Sequence, residues 1–326
     1  MLQRRRVKID TMDYINWWEM EKESGLEEIT SKFNRLFNTE NIPSIYHPIL
    51  YKYARNSQLK NWNEDIFEYT NKKILSIQEV IGKDELIATL LKNFHFLISS
   101  YESLLTIEER ILLMDRFRGS EELKAKSYSI SICNDLLNSS FTNILKTFIK
   151  FQSIIEGKDL TQKNLTSQIE LLKTREFDPI VGLADSDIRN AMSHGGVNVI
   201  GSNMFFHYRR GKEHLIKEMS VYQFKDNLFQ IFDGISAVFL AFINYLCEEN
   251  LSYDLFFKNE DVDEVTESFF ERLCLSTLLI SCNRIWKTEI FKDDGKKEQI
   301  NIEFYNNELD NNSRLFFGIY TAERIY

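Results

Sequence analysis

Apolar residues at steps of three and four positions constrain the fold of this chain more than any other feature. Between about Glu121 and Glu156 they form the single face expected of one long buried helix: Leu137, Phe141, Ile144, Phe148, Phe151 and Ile155. A second such face follows Ser220: Phe224, Leu228, Ile231, Ile235, Phe239 and Phe242. With only 3 Pro and 12 Gly in 326 residues, a loop-rich β-sandwich is disfavoured. The pattern predicts a mainly α protein with a helical bundle.

Changes in pattern divide the chain into three predicted regions. Residues 1–84 form a mostly helical N-terminal region, residues 85–250 a helical domain, and residues 251–326 a small C-terminal α+β unit. In the last region we expect a helix over about 262–279. An alternation of apolar and polar residues around Ile300 follows and predicts strands, with an Asp294–Gly295 turn before it.

Capping and turn residues place the elements of the middle region. Asp84 is a candidate N-cap for a helix to about Leu105, and Thr106 with Glu109 forms a capping box for a helix that stops at Gly119. A shorter helix fits residues 161–175. The segments NMFFHYR and HLIKEM predict a β-hairpin, and Ser220 with Gln223 begins the last helix of this region.

Charge, cysteine content and apolar run length exclude several classes of protein. The net charge of −9 argues against nucleic-acid binding through bulk charge, although a local basic site remains possible. The four cysteines form no C-x-x-C pair, which argues against a thiolate zinc site or a redox motif. We expect no metal and no cofactor. The longest nearly apolar run, Gly234–Cys247, is too short to span a bilayer, and the N-terminal residues do not resemble a signal peptide. We expect a cytoplasmic protein without membrane contact.

The segment DSDIRNAMSHGG, residues 185–196, carries the candidate chemistry. On a helix at 100° per residue, one side is apolar: Ile188, Ala191 and Met192. The opposite arc, about 140° wide, holds the polar residues and should face solvent or a partner: Arg189, Asn190, Ser193 and His194. Gly195 and Gly196 end the helix and allow the backbone to pass close to something large.

This pattern resembles the HEPN superfamily (higher eukaryotes and prokaryotes nucleotide-binding). Ribonucleases of that family carry an Arg, usually a polar residue next, and a His a few positions later. Here Arg189, Asn190 and His194 match, with four residues between the Arg and the His. Helices before the motif, a long helix after it and the intervening hairpin also resemble the family, in particular members linked to bacterial abortive infection. The resemblance covers about residues 85–250.

The resemblance implies a HEPN-like helical bundle with an inserted β-hairpin and a metal-independent endoribonuclease activity. An imidazole near neutral pH can take the proton of a ribose 2′-OH or give one to the leaving 5′-oxygen. A guanidinium can stabilise charge on the phosphate, and Asn190 could orient the His or donate to phosphate. The products would carry 2′,3′-cyclic phosphate and 5′-hydroxyl ends.

Two functional groups about 140° apart on one helix serve a single phosphate poorly. A two-fold homodimer would bring two Arg189 and two His194 into one composite cleft, as the resemblance also implies. The family further implies a toxin or effector of antiviral defence, with RNA as substrate and an antitoxin or trigger-sensing protein as a further partner.

The region between Arg189 and Lys217 contains five basic residues and one acidic residue, Glu213. Backbone contacts to RNA are therefore expected from a small set of residues: Ser193, Arg209, Arg210 and Lys212. Aromatic residues of the hairpin could stack on bases, although alternate residues of a strand are usually buried: Phe205, Phe206 and Tyr208.

Other interpretations fit the same residues. Arg209 and His214 have the same spacing as Arg189 and His194, so the spacing is weak evidence by itself. Arg189 could form a surface salt bridge with Asp185 or Asp187, and His194 could simply cap a helix C-terminus. At the level of function, a non-catalytic HEPN module for RNA binding or assembly, or a structural scaffold, would fit the same residues.

Overall fold

The computed structural model describes residues 62–249 except 163, the backbone of residues 285–293 and 297–304, and seven isolated residues between 33 and 53. The described chain is mainly helical, with one small three-stranded antiparallel sheet in the middle region. It separates into two compact units, one of residues 58–246 and 259–266, the other of residues 1–57, 247–258 and 267–326. The boundaries expected after residues 84 and 250 stay predictions.

Three helices open the larger unit: α1 (Glu64–Ile81), α2 (Lys83–Lys92) and α3 (Phe94–Arg116). The helix predicted from Asp84 to Leu105 and the one predicted from Thr106 to Gly119 are wrong in their boundaries. Asn93 separates α2 from α3: its backbone leaves the helical conformation with φ −112° and ψ 16°, and its side-chain amide donates to the carbonyl of Thr89 at 2.8 Å. Thr106 lies inside α3 and donates to the carbonyl of Glu102 at 3.1 Å, a bond that threonine readily makes within a helix. It caps nothing.

The long helix predicted between Glu121 and Glu156 is confirmed in extent. It is continuous through α4 (Glu121–Lys124), α5 (Ile130–Asp135) and α6 (Thr142–Ile155), and two π-helical turns, at Ala125–Ser129 and Leu136–Phe141, connect these three segments. The π turns were not predicted, because apolar spacing of three and four does not reveal one extra residue in a turn. The predicted apolar face is buried except for Ile155, which is half-buried. We call residues 121–155 the long helix.

Two short helices follow the long helix: α7 (Leu165–Lys173) and α8 (Asp178–Val181). Helix α9 (Ser186–Ser193) comes next and leads into the sheet. The predicted hairpin is confirmed as β2 (Asn203–Arg210) and β3 (Glu213–Ser220), and a further strand, β1 (Val197–Ile200), pairs with β2. The three strands therefore form a small antiparallel sheet of order β1-β2-β3.

Helix α10 (Val221–Glu248) runs through the core of the larger unit. Its predicted capping box is confirmed, since Ser220 N–H donates to the Gln223 side chain at 2.9 Å and Gln223 N–H to the Ser220 hydroxyl at 3.1 Å. Tyr101 of α3 stacks on Phe239 with ring centroids 4.7 Å apart. The predicted apolar face of α10 is buried throughout, as expected for the central helix of a bundle.

By length and composition alone, α10 could cross a membrane, because the helix is longer than the apolar run Gly234–Cys247 within it. However, 83% of its most apolar window is buried against other parts of the protein. The core helix of a bundle shows the same combination of length, hydropathy and burial.

In the second unit the structure describes two paired strands, β4 (Ile285–Asp293) and β5 (Lys297–Phe304). The alternation around Ile300 is therefore confirmed as a strand, with Ile300 opposite Ile290. The predicted Asp294–Gly295 turn and the helix expected over 262–279 lie outside the described residues.

Candidate functional site

Helix α9 begins at an N-cap formed by its own sequence. The Asp185 carboxylate accepts from the backbone N–H groups of Asp187 and Ile188 at 2.9 and 3.1 Å, which satisfies donors that a helix start leaves open. The predicted apolar side is buried: Ile188, Ala191 and Met192. The sequence therefore places this helix and its inward face correctly.

Helix α9 ends at the predicted pair of glycines, against strand β2. Gly195 has a φ of 68°, which glycine adopts without strain. Gly196 N–H bonds the carbonyl of Ala191, and the Gly196 carbonyl accepts from His207 N–H, both at 2.7 Å. A Cβ atom on Gly196 would lie only 2.3 Å from the His207 carbonyl oxygen. The close approach expected at these glycines is thus made to the protein's own strand.

Two ion pairs connect the start of α9 to the hairpin. Asp185 pairs with Lys217 at 2.5 Å, and Asp187 pairs with Arg210 at 2.6 Å. Burial, the largest single effect, raises the pKa of Asp185, but hydrogen bonds from Lys217 and from backbone N–H groups outweigh it, so the pKa is lowered overall. Both carboxylates that could have neutralised Arg189 are therefore engaged by other cations, and the salt-bridge alternative for Arg189 is wrong.

Arg189 is half-buried and points across to the long helix. Its Nε and Nη2 donate to Oδ1 of Asn138 at 3.0 and 2.8 Å, and its Nη1 donates to Oδ1 of Asn190 at 3.3 Å. Within the part of the chain that the structure describes, no carboxylate oxygen lies within 4.0 Å of Arg189. These bonds use three of the five guanidinium N–H donors, so two remain for a ligand and the positive charge is not neutralised.

The partners of Arg189 belong to a chain of polar side chains between α9 and the long helix. Nδ2 of Asn138 donates to Oδ1 of Asn134 at 2.9 Å, and the Ser193 hydroxyl donates to the same Asn134 oxygen at 3.3 Å. Asn134 and Asn138 were missed by the sequence prediction. The only local signal was two polar residues four positions apart on the long helix, beside its apolar face.

His194 is exposed and occupies the C-cap position of α9, where its backbone N–H bonds the carbonyl of Asn190 at 3.2 Å. Its position fits the helix-cap alternative as well as the catalytic one. The imidazole makes no hydrogen bond to any described residue, so it does not join the network of Arg189, Asn190 and Ser193. The structure places the two proposed catalytic groups on one short helix, with the guanidinium fixed and the imidazole free.

The basic residues of the hairpin that were expected to contact RNA differ in whether they form an ion pair. Arg209 and Lys212 are exposed and make no ion pair with any residue that the structure describes, whereas Arg210 is held by Asp187. Arg209 lies directly opposite His214 in the strand register, and both are exposed. The alternative pair is therefore adjacent in space, but it lies on a strand face and not at a helix end.

The three hairpin aromatics have different environments, as strand alternation requires. Phe206 is fully buried and packs on Phe224, with ring centroids 5.5 Å apart. Phe206 therefore cannot stack on a base, and that part of the prediction is wrong. Phe205 is half-buried and alternates with Phe206 on the other face of the sheet, which leaves it the better candidate for stacking. Tyr208 is half-buried on the same side as Phe206.

A cleft of about 220 Å³ adjoins the other side of α9. It meets α9 through Asp185 and Ile188, and not through Arg189 or His194. Its remaining lining comes from the long helix, residues 182–183 and α10: Cys133, Leu137, Gly182, Leu183, Phe224, Asn227, Gln230 and Ile231. Burial raises the pKa of Cys133 to about 12, so this thiol stays protonated and unreactive.

Among the residues that the structure describes, no group of three or more His, Cys, Asp or Glu side chains is arranged to hold a metal ion. Comparison with known proteins identifies no relative: no family model, no curated protein and no solved structure matches this chain.

Proposed function

We propose that this protein is a metal-independent endoribonuclease of the HEPN type, with Arg189 and His194 as its catalytic groups and Asn190 as their auxiliary. The observation that carries the proposal is the state of Arg189: a guanidinium fixed by neutral amides, without a carboxylate, on the same short helix as an exposed imidazole. A fixed cation with open donors suits a phosphodiester, because it can bind a charged oxygen through charge-assisted hydrogen bonds.

The chemistry needs only groups that the protein and the RNA supply. One imidazole accepts the proton of the ribose 2′-OH while the 2′-oxygen attacks phosphorus. The bond from phosphorus to the 5′-oxygen breaks, and the leaving oxygen receives a proton from a second imidazole. Arg189 stabilises the negative charge that accumulates on the phosphate oxygens in the transition state. General acid–base catalysis of this kind contributes about a hundred- to ten-thousandfold.

The need for both a base and an acid favours a homodimer. One His194 cannot serve both sides of a phosphate at once, whereas a two-fold axis would bring two copies to one cleft. Ser193 and His194 are both exposed at the end of α9, so a second copy can approach them. The composite site, an antitoxin or trigger-sensing partner, and a cytoplasmic role as a toxin in antiviral defence all follow from the HEPN resemblance and belong to this proposal.

The fold supports the resemblance in outline. Helices precede the motif, the motif ends a helix, and a long helix follows after an inserted sheet. Ser193, Arg209 and Lys212 provide exposed polar or basic groups for the RNA backbone, while Arg210 would need to leave Asp187 to contribute.

One observation favours a second candidate, a non-catalytic RNA-binding module. The His194 ring makes no hydrogen bond within the network of Arg189, Asn190 and Ser193. No described residue orients it for proton transfer, although catalytic histidines are usually oriented by a hydrogen bond to the second ring nitrogen. In this alternative Arg189 binds phosphate and His194 has no chemical role.

The deciding experiment is incubation of the purified protein with RNA in the presence of EDTA. Cleavage that survives chelation, leaves cyclic phosphate ends, and disappears in both Arg189→Ala and His194→Ala supports the proposal. Arg118→Ala, which removes an exposed arginine in the loop between α3 and the long helix, should cleave like the wild type. RNA binding without cleavage would support the second candidate. If cleavage persists in both variants but disappears when Arg209 and His214 are replaced, the catalytic pair has been assigned to the wrong element.

A further inference from the structure

We propose that Asn138, supported by Asn134, is a positioning residue that fixes the guanidinium of Arg189 and keeps its positive charge available for the scissile phosphate. The inference rests on the proposed function and adds residues from outside the motif. It follows from three features of the described structure: the geometry of the amide pair, the pairing of the nearby carboxylates, and the π turn that carries Asn138.

The geometry fixes the orientation of Arg189. One oxygen, Oδ1 of Asn138, accepts from both Nε and Nη2, so the guanidinium plane is held along one edge and its remaining N–H groups point elsewhere. A side-chain amide can present either its oxygen or its nitrogen to a neighbour. Here Nδ2 of Asn138 is bound to Oδ1 of Asn134, which selects the orientation that directs the oxygen at Arg189. Ser193 donates to Asn134 as well, so α9 itself completes the arrangement.

The amide oxygen of Asn138 is neutral, and the carboxylates near it in sequence are paired with cations other than Arg189. Asp185 and Asp187, on the same helical segment as Arg189, are bound by Lys217 and Arg210. Asp135, between the two asparagines on the long helix, is bound by Arg110. Every carboxylate that adjoins the site in sequence is thus paired with another cation, and Arg189 receives amide oxygens alone. An aspartate at position 138 would form the bidentate pair that arginine prefers with carboxylates and would compete directly with phosphate.

The π turn Leu136–Phe141 contains Asn138. Turns of this kind are rare and occur frequently at functional sites. The turn is anchored in the core by Ser140, whose hydroxyl donates to the Ser100 carbonyl at 2.7 Å and lies 3.0 Å from the Ser100 hydroxyl. The segment that presents Asn138 is therefore bonded to α3 as well as to α9.

The test compares Asn138→Asp with Asn143→Asp, a matched change on the same long helix at a half-buried asparagine that contacts Lys146. Three quantities are measured: RNA cleavage, binding of a non-cleavable 2′-O-methyl oligoribonucleotide, and thermal unfolding. We expect Asn138→Asp to reduce kcat by roughly tenfold to a thousandfold and to weaken binding at low salt. The dependence of binding on salt should also fall by about one phosphate contact, while the unfolding temperature does not decrease. Asn143→Asp should match the wild type in cleavage and binding.

Asn138→Ala separates positioning from charge. It leaves Arg189 charged but unfixed, so it should lower kcat while largely retaining the salt dependence of binding. Wild-type cleavage and binding in Asn138→Asp would overturn the inference and leave the ribonuclease proposal intact. The inference would also be overturned if the activity of Asn138→Asp and Asn138→Ala fell only in proportion to a lowered unfolding temperature. If the wild type neither cleaves RNA nor binds the non-cleavable oligoribonucleotide, the proposed function itself is wrong.

Discussion

Oδ1 of Asn138 accepts hydrogen bonds from both Nε and Nη2 of Arg189, although the two residues are 51 positions apart in the chain. The contact docks the motif helix α9 on the long helix through a neutral amide. A carboxylate in the same place would have made Arg189 half of an ordinary salt bridge. The site therefore depends on the amide of Asn138 that holds Arg189, and equally on the lack of a carboxylate partner for Arg189 among the described residues.

Replacement of Gly196 by alanine should destabilise the protein. The new Cβ would lie 2.3 Å from the His207 carbonyl oxygen, and backbone cannot move aside cheaply, so the free energy of unfolding should fall by roughly 1–3 kcal/mol. Gly211→Asn is the control, since Gly211 has a φ of 60° with open space around it and asparagine tolerates that conformation. Denaturant unfolding of both variants measures the difference. Equal effects would show that α9 and β2 are not in such close contact.

Protonation of the Asp185 carboxylate should contribute to the loss of stability at acid pH. Burial raises the pKa of the Asp185 carboxyl, but hydrogen bonds from Lys217 and from backbone N–H groups outweigh it and hold the pKa below its ordinary value in the folded protein. The stabilisation it provides is therefore complete above about pH 4 and is lost as the pH falls through the folded-state value. Asp185→Asn keeps a side chain that can cap the helix but loses the charge that pairs with Lys217. Its unfolding free energy should depend less steeply on pH in this acid range than that of the wild type. An unchanged slope would contradict the prediction.

Replacement of Arg209 and replacement of Arg210 should have different effects on RNA binding and on stability, although the two residues are adjacent. Arg209 is exposed without an ion pair among the described residues, so Arg209→Ala should weaken RNA binding several-fold and leave stability unchanged. Arg210 is paired with Asp187 at 2.6 Å, so Arg210→Ala should lower the unfolding temperature slightly and affect RNA binding less. Fluorescence anisotropy with labelled RNA, combined with thermal unfolding, separates the two. The reverse ranking of binding losses would show that RNA displaces Asp187 from Arg210.

Replacement of Phe206 should mainly lower stability, whereas replacement of Phe205 should mainly weaken RNA binding. Phe206 is fully buried against Phe224, so Phe206→Ala should cost about 3–5 kcal/mol of unfolding free energy. Phe205 is half-buried on the other face of the sheet, and Phe205→Ala should be milder for folding. If Phe205 stacks on a base, its loss should weaken RNA binding by about 1–3 kcal/mol. Unaltered binding in Phe205→Ala would remove base stacking from the proposal.

The sequence predicted correctly those elements whose signal lies within a short stretch of the chain. The long helix and α10 follow from an apolar face, which is the same property that buries them. The start of α10 follows from the reciprocal bonds of Ser220 and Gln223, three residues apart. Prediction failed at Thr106, because a threonine can bond a carbonyl inside a helix as well as cap one. Sequence alone could not choose between these two uses.

What the sequence by itself determined is the short helix α9, with its apolar side and its end at the glycine pair. Each of these depends on residues within a few positions of one another. Tertiary structure alone decided which charges are neutralised: Lys217 and Arg210 reach Asp185 and Asp187 from 32 and 23 positions away, and Asn138 reaches Arg189 from 51. The physical reason is that an ion pair or hydrogen bond depends on distance in space, and chain segments so far apart are brought within 3 Å or so only by the packing of the bundle.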